Sequence, residues 1–252
     1  MKKSLNHPVF QVVAEVLKEE SRQGYAIGGY VRDLLLGRTS KDIDIVVLGS
    51  GIDLARKVAD RLGIRQVSVF KNYGTAMIRH GDLEVEFVGA RRESYRSDSR
   101  KPLVENGTLE DDQKRRDFTI NALAICLHPS CYGELVDPFN GLKDLKKQVI
   151  RTPMDPERTF SDDPLRMMRA IRFAAQLHFA IGDQTYQAIE SNASRLQIVS
   201  NERIMEELHK ILLSTKPSLG LKLLEGSGLL REFFPELADL KGVDVREGIR
   251  HK

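Results

Sequence analysis

Two aspartates one residue apart, Asp42 and Asp44, follow a glycine pair, Gly28-Gly29, by about one strand and one turn. In an extended chain, residues two apart point the same way. Asp42 and Asp44 therefore share one strand face, while Ile43, Ile45 and Val47 share the other. Carboxylates held side by side repel unless a divalent cation lies between them. A glycine pair lets backbone N–H groups approach a phosphate at the start of a helix. Metal together with phosphate points to phosphoryl or nucleotidyl transfer.

The elements that must position these groups alternate between helix and strand in the first half. Val9, Val12, Val13, Val16 and Leu17 recur at helical spacing between Pro8 and Glu20. Tyr25–Ile27 reads as a short strand running into the glycine turn. A helix is predicted from Tyr30 to Leu36, ended by Gly37. Ile43–Leu48 is the aspartate strand, and Asp53 is expected to cap a helix ending at Gly63. Strands are predicted over Arg65–Phe70, Thr75–Arg79 and Leu83–Val88. Arg91–Thr108 lacks apolar periodicity and reads as a long mobile loop. A short charged helix at Arg115-Arg116-Asp117, a strand over Ile120–Leu127 and a turn at Asp137–Gly141 follow.

Beyond about Pro153 the pattern is helical throughout, with segments predicted over Pro164–His178, Asp183–Ala193, Asn201–Leu213, Ser218–Leu224 and Leu229–Phe234. The expected organisation is an α/β head over residues 1–145 and an all-α region over 146–252. At 252 residues, with 41% hydrophobic and 30% charged content, a sizeable core is available. No apolar run approaches a membrane span, and no signal-peptide pattern opens the chain. Cys126 and Cys131 match no metal motif, so a reduced, cytoplasmic protein is expected. Net charge is only +3, yet basic residues cluster at Arg91–Lys101, Lys114–Arg116 and Lys143–Arg151. Such clusters suit nucleic acid or nucleotide phosphates, and equally an ordinary solvated surface.

Four motifs occur in order: Gly28-Gly29-Tyr30-Val31-Arg32-Asp33, Asp42-Ile43-Asp44, Arg115-Arg116-Asp117-Phe118-Thr119-Ile120-Asn121-Ala122, and Asp162-Asp163-Pro164-Leu165-Arg166. Together they resemble the bacterial and eukaryotic (class II) CCA-adding tRNA nucleotidyltransferases and their relatives, the bacterial poly(A) polymerases. The resemblance covers nearly the whole chain. It implies an α+β fold: a polymerase-beta-like nucleotidyltransferase head with a mixed sheet, followed by an all-α neck and body. It also implies addition of CCA to the tRNA 3′ end from CTP and ATP, with Mg²⁺ held by Asp42 and Asp44.

Leu83, Val85 and Phe87 make one face of their strand, so Glu84 and Glu86 project from the other. By resemblance Glu86 is the third catalytic carboxylate, although both glutamates equally suit a solvent-facing edge. Gly28, Gly29 and Arg32 would receive the triphosphate, with Asp33 as a structural salt link. Arg116 and Asp117 would engage the nucleotide, the aspartate through ribose hydroxyls, and Asn121 would support that corner. Asp163 and Arg166, three apart and so expected on one helix face, would read the base's Watson–Crick edge. Arg169 would add to the pocket or pair with an acid. Asp162 stands where the family usually has glutamate, with less reach toward Arg166. Glu202, Arg203 and Glu207 are assigned structural support.

The resemblance leaves other products open: poly(A) tails, CC alone, A alone, or RNA binding without catalysis on the same fold. Phe70–Arg79 lacks the basic, phenylalanine-rich insertion of the poly(A) branch. Arg91–Thr108 occupies the place of a loop linked to the CTP-to-ATP switch. Relatives are generally longer, so the sequence reads as a head-and-neck piece. Oligomeric state is not legible.

Overall fold

The computed structural model describes residues 5–96 and 99–242 and divides into two compact units, Met1–Asp155 and Pro156–Lys252. The first unit contains α1 (Pro8–Glu19), β1 (Gly24–Ile27), α2 (Gly29–Leu35), β2 (Asp42–Val47), α3 (Gly51–Arg61), β3 (Ser68–Phe70), β4 (Thr75–His80) and β5 (Leu83–Gly89). It continues through β6 (Arg91–Arg96), β7 (Ser99–Asn106), α4 (Leu109–Lys114), β8 (Ala124–Cys126), β9 (Leu135–Val136) and α5 (Gly141–Lys147). Seven strands form one sheet in the order β3-β4-β5-β2-β1-β8-β9. β2 and β5 run parallel and the other neighbours antiparallel, giving the mixed sheet that the family resemblance implies.

Alternation along the strands decides what each sheet face does. Ile43, Ile45, Ala76, Ile78, Val85 and Phe87 are buried, and α3 packs over β4 and β5 on that side. Burying a side chain such as Phe87 stabilises by roughly 2–3 kcal/mol. Ser50 caps α3 by accepting from the Asp53 amide at 3.2 Å, so Asp53 lies inside the helix rather than capping it. On the opposite face, Ile27, Val46, Ala90 and Ala124 form a smaller core with Leu109 and Val136 packed against it.

Four further expectations require correction. Arg91–Thr108 is not a loop throughout: β6 and β7 pair as an antiparallel two-stranded ribbon, with an irregularity between Ser94 and Arg96. Arg92 and Glu105 face each other across it, 2.6 Å apart. Backbone pairing leaves no apolar period of its own, which is why the sequence was silent here. The charged helix is α4, ending before Arg116; its start is marked by a capping box between Thr108 and Asp111. Thr119–Asn121 is a 3₁₀ turn, and the strand there begins only at Ala124. The cysteines also depart from the reduced state expected, because Cys126 and Cys131 are joined as a disulfide. The short turn at Pro129–Cys131 brings their Cα atoms to 5.7 Å, within bonding reach.

The second unit comprises α6 (Pro156–Asp162), α7 (Leu165–Leu177), α8 (Asp183–Asn192), α9 (Asn201–Leu212), α10 (Pro217–Gly226), α11 (Leu229–Phe233) and α12 (Pro235–Ala238). Within it α7 is central, burying Met168, Ile171 and Ala175 and packing against α9 and α10. Its buried Arg172 bonds Glu207 of α9 at 3.3 Å and lies 4.4 Å from the Phe173 ring centroid. Glu202 and Arg203 are exposed, whereas Glu207 is buried. Among the described residues no helix is long and apolar enough to cross a membrane.

Candidate active site

Parallel pairing of β2 with β5 sets Asp42 opposite Glu84 and Asp44 opposite Glu86. In-register partners on neighbouring strands project to the same side, so all four carboxylates share one face. They are not equivalent. Glu84 forms an ion pair with Arg79 of β4, its other neighbour. Glu86 has Met77 in that position and interacts electrostatically with Asp44. Burial raises the Asp44 carboxyl above the usual range; Arg116 opposes that shift, while Glu86 and Asp42 add to it.

Gly28 supplies the approach. Its φ is +82°, which L side chains rarely adopt, and it immediately precedes α2. A Cβ placed there would lie 2.8 Å from Arg116 Nη1 and 3.0 Å from Asp44 Oδ2. The glycine turn, the guanidinium and the inner carboxylate therefore converge on one spot.

Behind them stands a residue the sequence reasoning passed over. Asp112 of α4 is fully buried and accepts from Arg115 Nε at 2.9 Å and Arg116 Nε at 3.2 Å. One carboxylate thus orients both arginines of the third motif. Its spacing, three and four residues ahead of them on a helix, was the available signal. Gln113 is buried beside it and donates to the Ala122 carbonyl at 2.7 Å, tying α4 to the 3₁₀ turn.

A hydrogen-bonded chain joins the first motif to the third. Arg32 donates from Nε and Nη2 to the two Asp33 carboxylate oxygens, each at 2.9 Å. Its Nη1 donates to Asn121 Oδ1 at 2.8 Å, and Asn121 Nδ2 donates to Asp117 Oδ1 at 3.0 Å. Asp117 Oδ1 also accepts from the Phe118 amide at 2.8 Å. The expected salt link at Asp33 is present. Arg32 is mostly buried, with its guanidinium turned toward these partners.

In the helical unit the fourth motif is arranged differently from expectation. Asp163 does not lie on the helix with Arg166: α6 ends at Asp162, Pro164 stands at the N-cap of α7, and Arg166 is its second residue. A residue preceding proline is pushed out of helical conformation. A turn still links the two, since the Arg166 amide donates to the Asp163 carbonyl at 3.0 Å. Asp163 Oδ1 is buried without a hydrogen-bond partner among the described residues. Burial raises the Asp162 carboxyl, against the pull of Arg158, Arg166 and Arg195. Arg169 lies 5.4 Å from the Phe173 ring centroid.

Among the described residues no three His, Cys, Asp or Glu side chains form a ready-made metal cage. Asp42, Asp44 and Glu86 nevertheless offer only hard oxygen donors. That set suits Mg²⁺, which takes one or two carboxylates and completes its shell with water and substrate phosphate.

Two family models match the chain, on either side of the Asp162–Arg166 motif. Residues 24–151 match the poly A polymerase head domain, and residues 178–241 match the probable RNA and SrmB-binding site of polymerase A. The chain is 42% identical over 188 residues to an A-adding tRNA nucleotidyltransferase of Aquifex aeolicus, covering 74% of this chain and 22% of the relative. It is 39% identical over 243 residues to a CCA-adding enzyme of Lactobacillus helveticus, covering 89% of this chain and 58% of that one. A tRNA nucleotidyltransferase solved with a primer tRNA and an incoming ATP analog superimposes with a TM-score of 0.78 at 34% identity, covering 90% of this chain and 65% of that structure. The chain thus spans less than two thirds of each of these relatives.

Proposed function

Because this chain belongs to the poly A polymerase head-domain family, we propose that it adds nucleotides from CTP and ATP to the 3′ end of tRNA without a template, rebuilding CCA and releasing pyrophosphate. Residues 1–145 carry the chemistry and residues 146–252 choose the base. The protein works in the cytoplasm. The observation that carries this reading is the register that brings Asp42, Asp44 and Glu86 to one sheet face, with Gly28 and Arg116 against Asp44.

Asp42 and Asp44 would hold Mg²⁺, with Glu86 as the third acid. When bound, Mg²⁺ supplies Lewis acidity toward the RNA 3′-hydroxyl and the triphosphate. The residues do the positioning. Gly28 leaves room for phosphate beside Asp44, and Gly29 continues the turn into α2. Arg116, oriented by Asp112, brings positive charge to the nucleotide. Arg32 acts from behind, holding Asn121 and through it Asp117, the residue assigned to the ribose hydroxyls. Such a hydroxyl contact is what separates ribonucleotides from deoxyribonucleotides.

Base choice falls to Asp163 and Arg166, with Arg169 as a further pocket residue. A carboxylate accepts from the cytosine N4 or adenine N6 amino group, and a guanidinium donates to the neighbouring acceptor. Uracil and guanine present a carbonyl at the first position and an N–H at the second, so both contacts fail. A buried polar site rejects such mismatches strongly. The unsatisfied, buried Asp163 Oδ1 supports this reading.

A second reading, addition of A alone, is favoured by the Aquifex relative, whose name is A-adding. Incubation with Mg²⁺, tRNA lacking CCA and each labelled nucleotide in turn separates the outcomes. CMP incorporation followed by a single AMP is the expected result. AMP only on tRNA already ending in CC supports the second reading, and long adenylate tails would make it a poly(A) polymerase. Binding of tRNA with no incorporation of any nucleotide would refute nucleotidyl transfer.

A further inference from the structure

The sheet face that carries the carboxylates continues past them toward the β3 edge. Glu86 pairs with Met77, and Met77 with Ser68; one step along, Val88 pairs with Thr75, and Thr75 with Phe70. Residues two apart on a strand, and residues paired across strands, project to one side. Phe70 therefore shares the face of Asp44 and Glu86. The other face of these strands is sealed, with Ala76, Ile78, Val85 and Phe87 buried. On this face Ser68, Met77 and Val88 are half-buried and Phe70 is 46% exposed, while Thr75, between Phe70 and Val88, is buried.

Along β5, Val88 lies about 7 Å beyond Glu86, and β3 lies two strand spacings, about 10 Å, across. Phe70 thus stands on the order of 12 Å from the third carboxylate, a reach of about two nucleotides of single strand. The 3₁₀ turn that follows it, Lys71–Tyr73, adds an exposed lysine and a tyrosine that is 72% exposed. Arg79, farther along β4 and opposite Glu84, is already paired with that carboxylate. Beyond the carboxylates, this edge presents one exposed ring, Phe70, followed in the chain by the exposed Lys71.

We propose that the β3–β4–β5 face is a stacking platform for the last unpaired nucleotides of the RNA primer, with Phe70 as the principal ring and Lys71 and Tyr73 flanking it. The proposal rests on the nucleotidyl-transfer reading for its ligand, but its geometry stands on the sheet register alone. Aromatic side chains grip single strands because every base has a π-face, and a neighbouring cation offsets the phosphates. The occupant is single-stranded RNA rather than a protein, because the exposed Lys71 follows Phe70 and the ring's sheet face continues to Glu86 and Asp44.

The test uses the intact chain and a tRNA acceptor minihelix lacking CCA, with 2-aminopurine as its 3′-terminal unpaired base. Fluorescence quenching on binding reports stacking, and labelled-nucleotide incorporation is measured in parallel. Phe70→Ala with Tyr73→Ala should abolish the quench and raise KM for the minihelix about tenfold or more, leaving KM for ATP unchanged. Phe70→Trp should restore the quench. Unaltered quenching and minihelix KM in the double variant would overturn the platform. Quenching by an unidentified face, insensitive to Phe70, would do the same. If the wild-type chain quenches through Phe70 yet incorporates nothing, the platform stands and the catalytic reading falls.

Discussion

Replacing Asp112 by asparagine tests whether one buried carboxylate organises the third motif. Asp112 has no side-chain exposure, and its partners Arg115 and Arg116 are only 17% and 16% exposed. Hydrogen bonds to charged groups contribute about 1.5–3 kcal/mol each, and removing one member of a buried ion pair costs about 3–5 kcal/mol. Asparagine keeps the shape and one acceptor oxygen, and the arginines retain some solvent, so a loss of about 3 kcal/mol is expected from the head. For a unit of this size that lowers Tm by roughly 6–12 °C. The functional effect is separate. Arg116, which crowds Gly28 and Asp44, loses its anchor, and nucleotide affinity should fall about tenfold, the equivalent of about 1.4 kcal/mol. Chemical denaturation and titration with a fluorescent ATP analogue measure the two effects. Glu110→Gln, which removes an exposed ion pair with Lys114 on the same helix, serves as the control and should behave like wild type. If Asp112→Asn unfolds and binds nucleotide as the control does, the organising role is wrong.

Other expectations follow from the same geometry. Gly28→Ala forces a side chain into a conformation at φ +82° and against Arg116 and Asp44; incorporation should fall at least a hundredfold, while Tm drops by only a few degrees. Asp44 is held protonated more readily in the folded head than in the unfolded chain, first by burial. Its contribution to stability is therefore complete below the ordinary carboxylate range and is lost as pH rises through the raised value. Asp44→Asn should accordingly melt higher than wild type at pH near 7.5 without divalent cations, and that advantage should vanish toward acid pH. Mg²⁺ should raise the wild-type Tm and leave the variant unmoved; an equal response from both would show that the cation binds elsewhere. Asp163→Asn should preserve the melting temperature but reduce discrimination between ATP and UTP about a hundredfold, read from competing incorporation.

Much of this arrangement was legible because it rests on alternation and local chemistry. The Asp42–Val47 strand announced itself through period two, and the glycine turn through residue type. α7, α8 and α9 announced themselves through helical spacing. What escaped depended on partners far away in the chain. Asp112 carries no mark of burial in its own neighbourhood, since α4 has one apolar residue, Leu109, and four charged ones. The ribbon of β6 and β7 is held by backbone pairing, to which side-chain periodicity is blind. The difference in surroundings between Glu84 and Glu86 comes from Arg79, a neighbour that only the β4–β5 register reveals. The break at Asp163 was recoverable: the proline after it disfavours helix there, whatever the apolar pattern suggests.

The single parallel pairing in the sheet has a consequence for how the head comes to exist at all. Asp44 and Glu86 are neighbours only because the chain leaves β2, builds α3 and the β3–β4 hairpin, and returns as β5. Parallel strands cannot zip from a tight turn, so this contact must wait for loop closure over the whole crossover. A nascent or partly unfolded head therefore holds its acids apart on separate segments. The proposed cation site would therefore be a late acquisition of the folding chain, and Mg²⁺ binding during refolding would time the closing of the crossover itself.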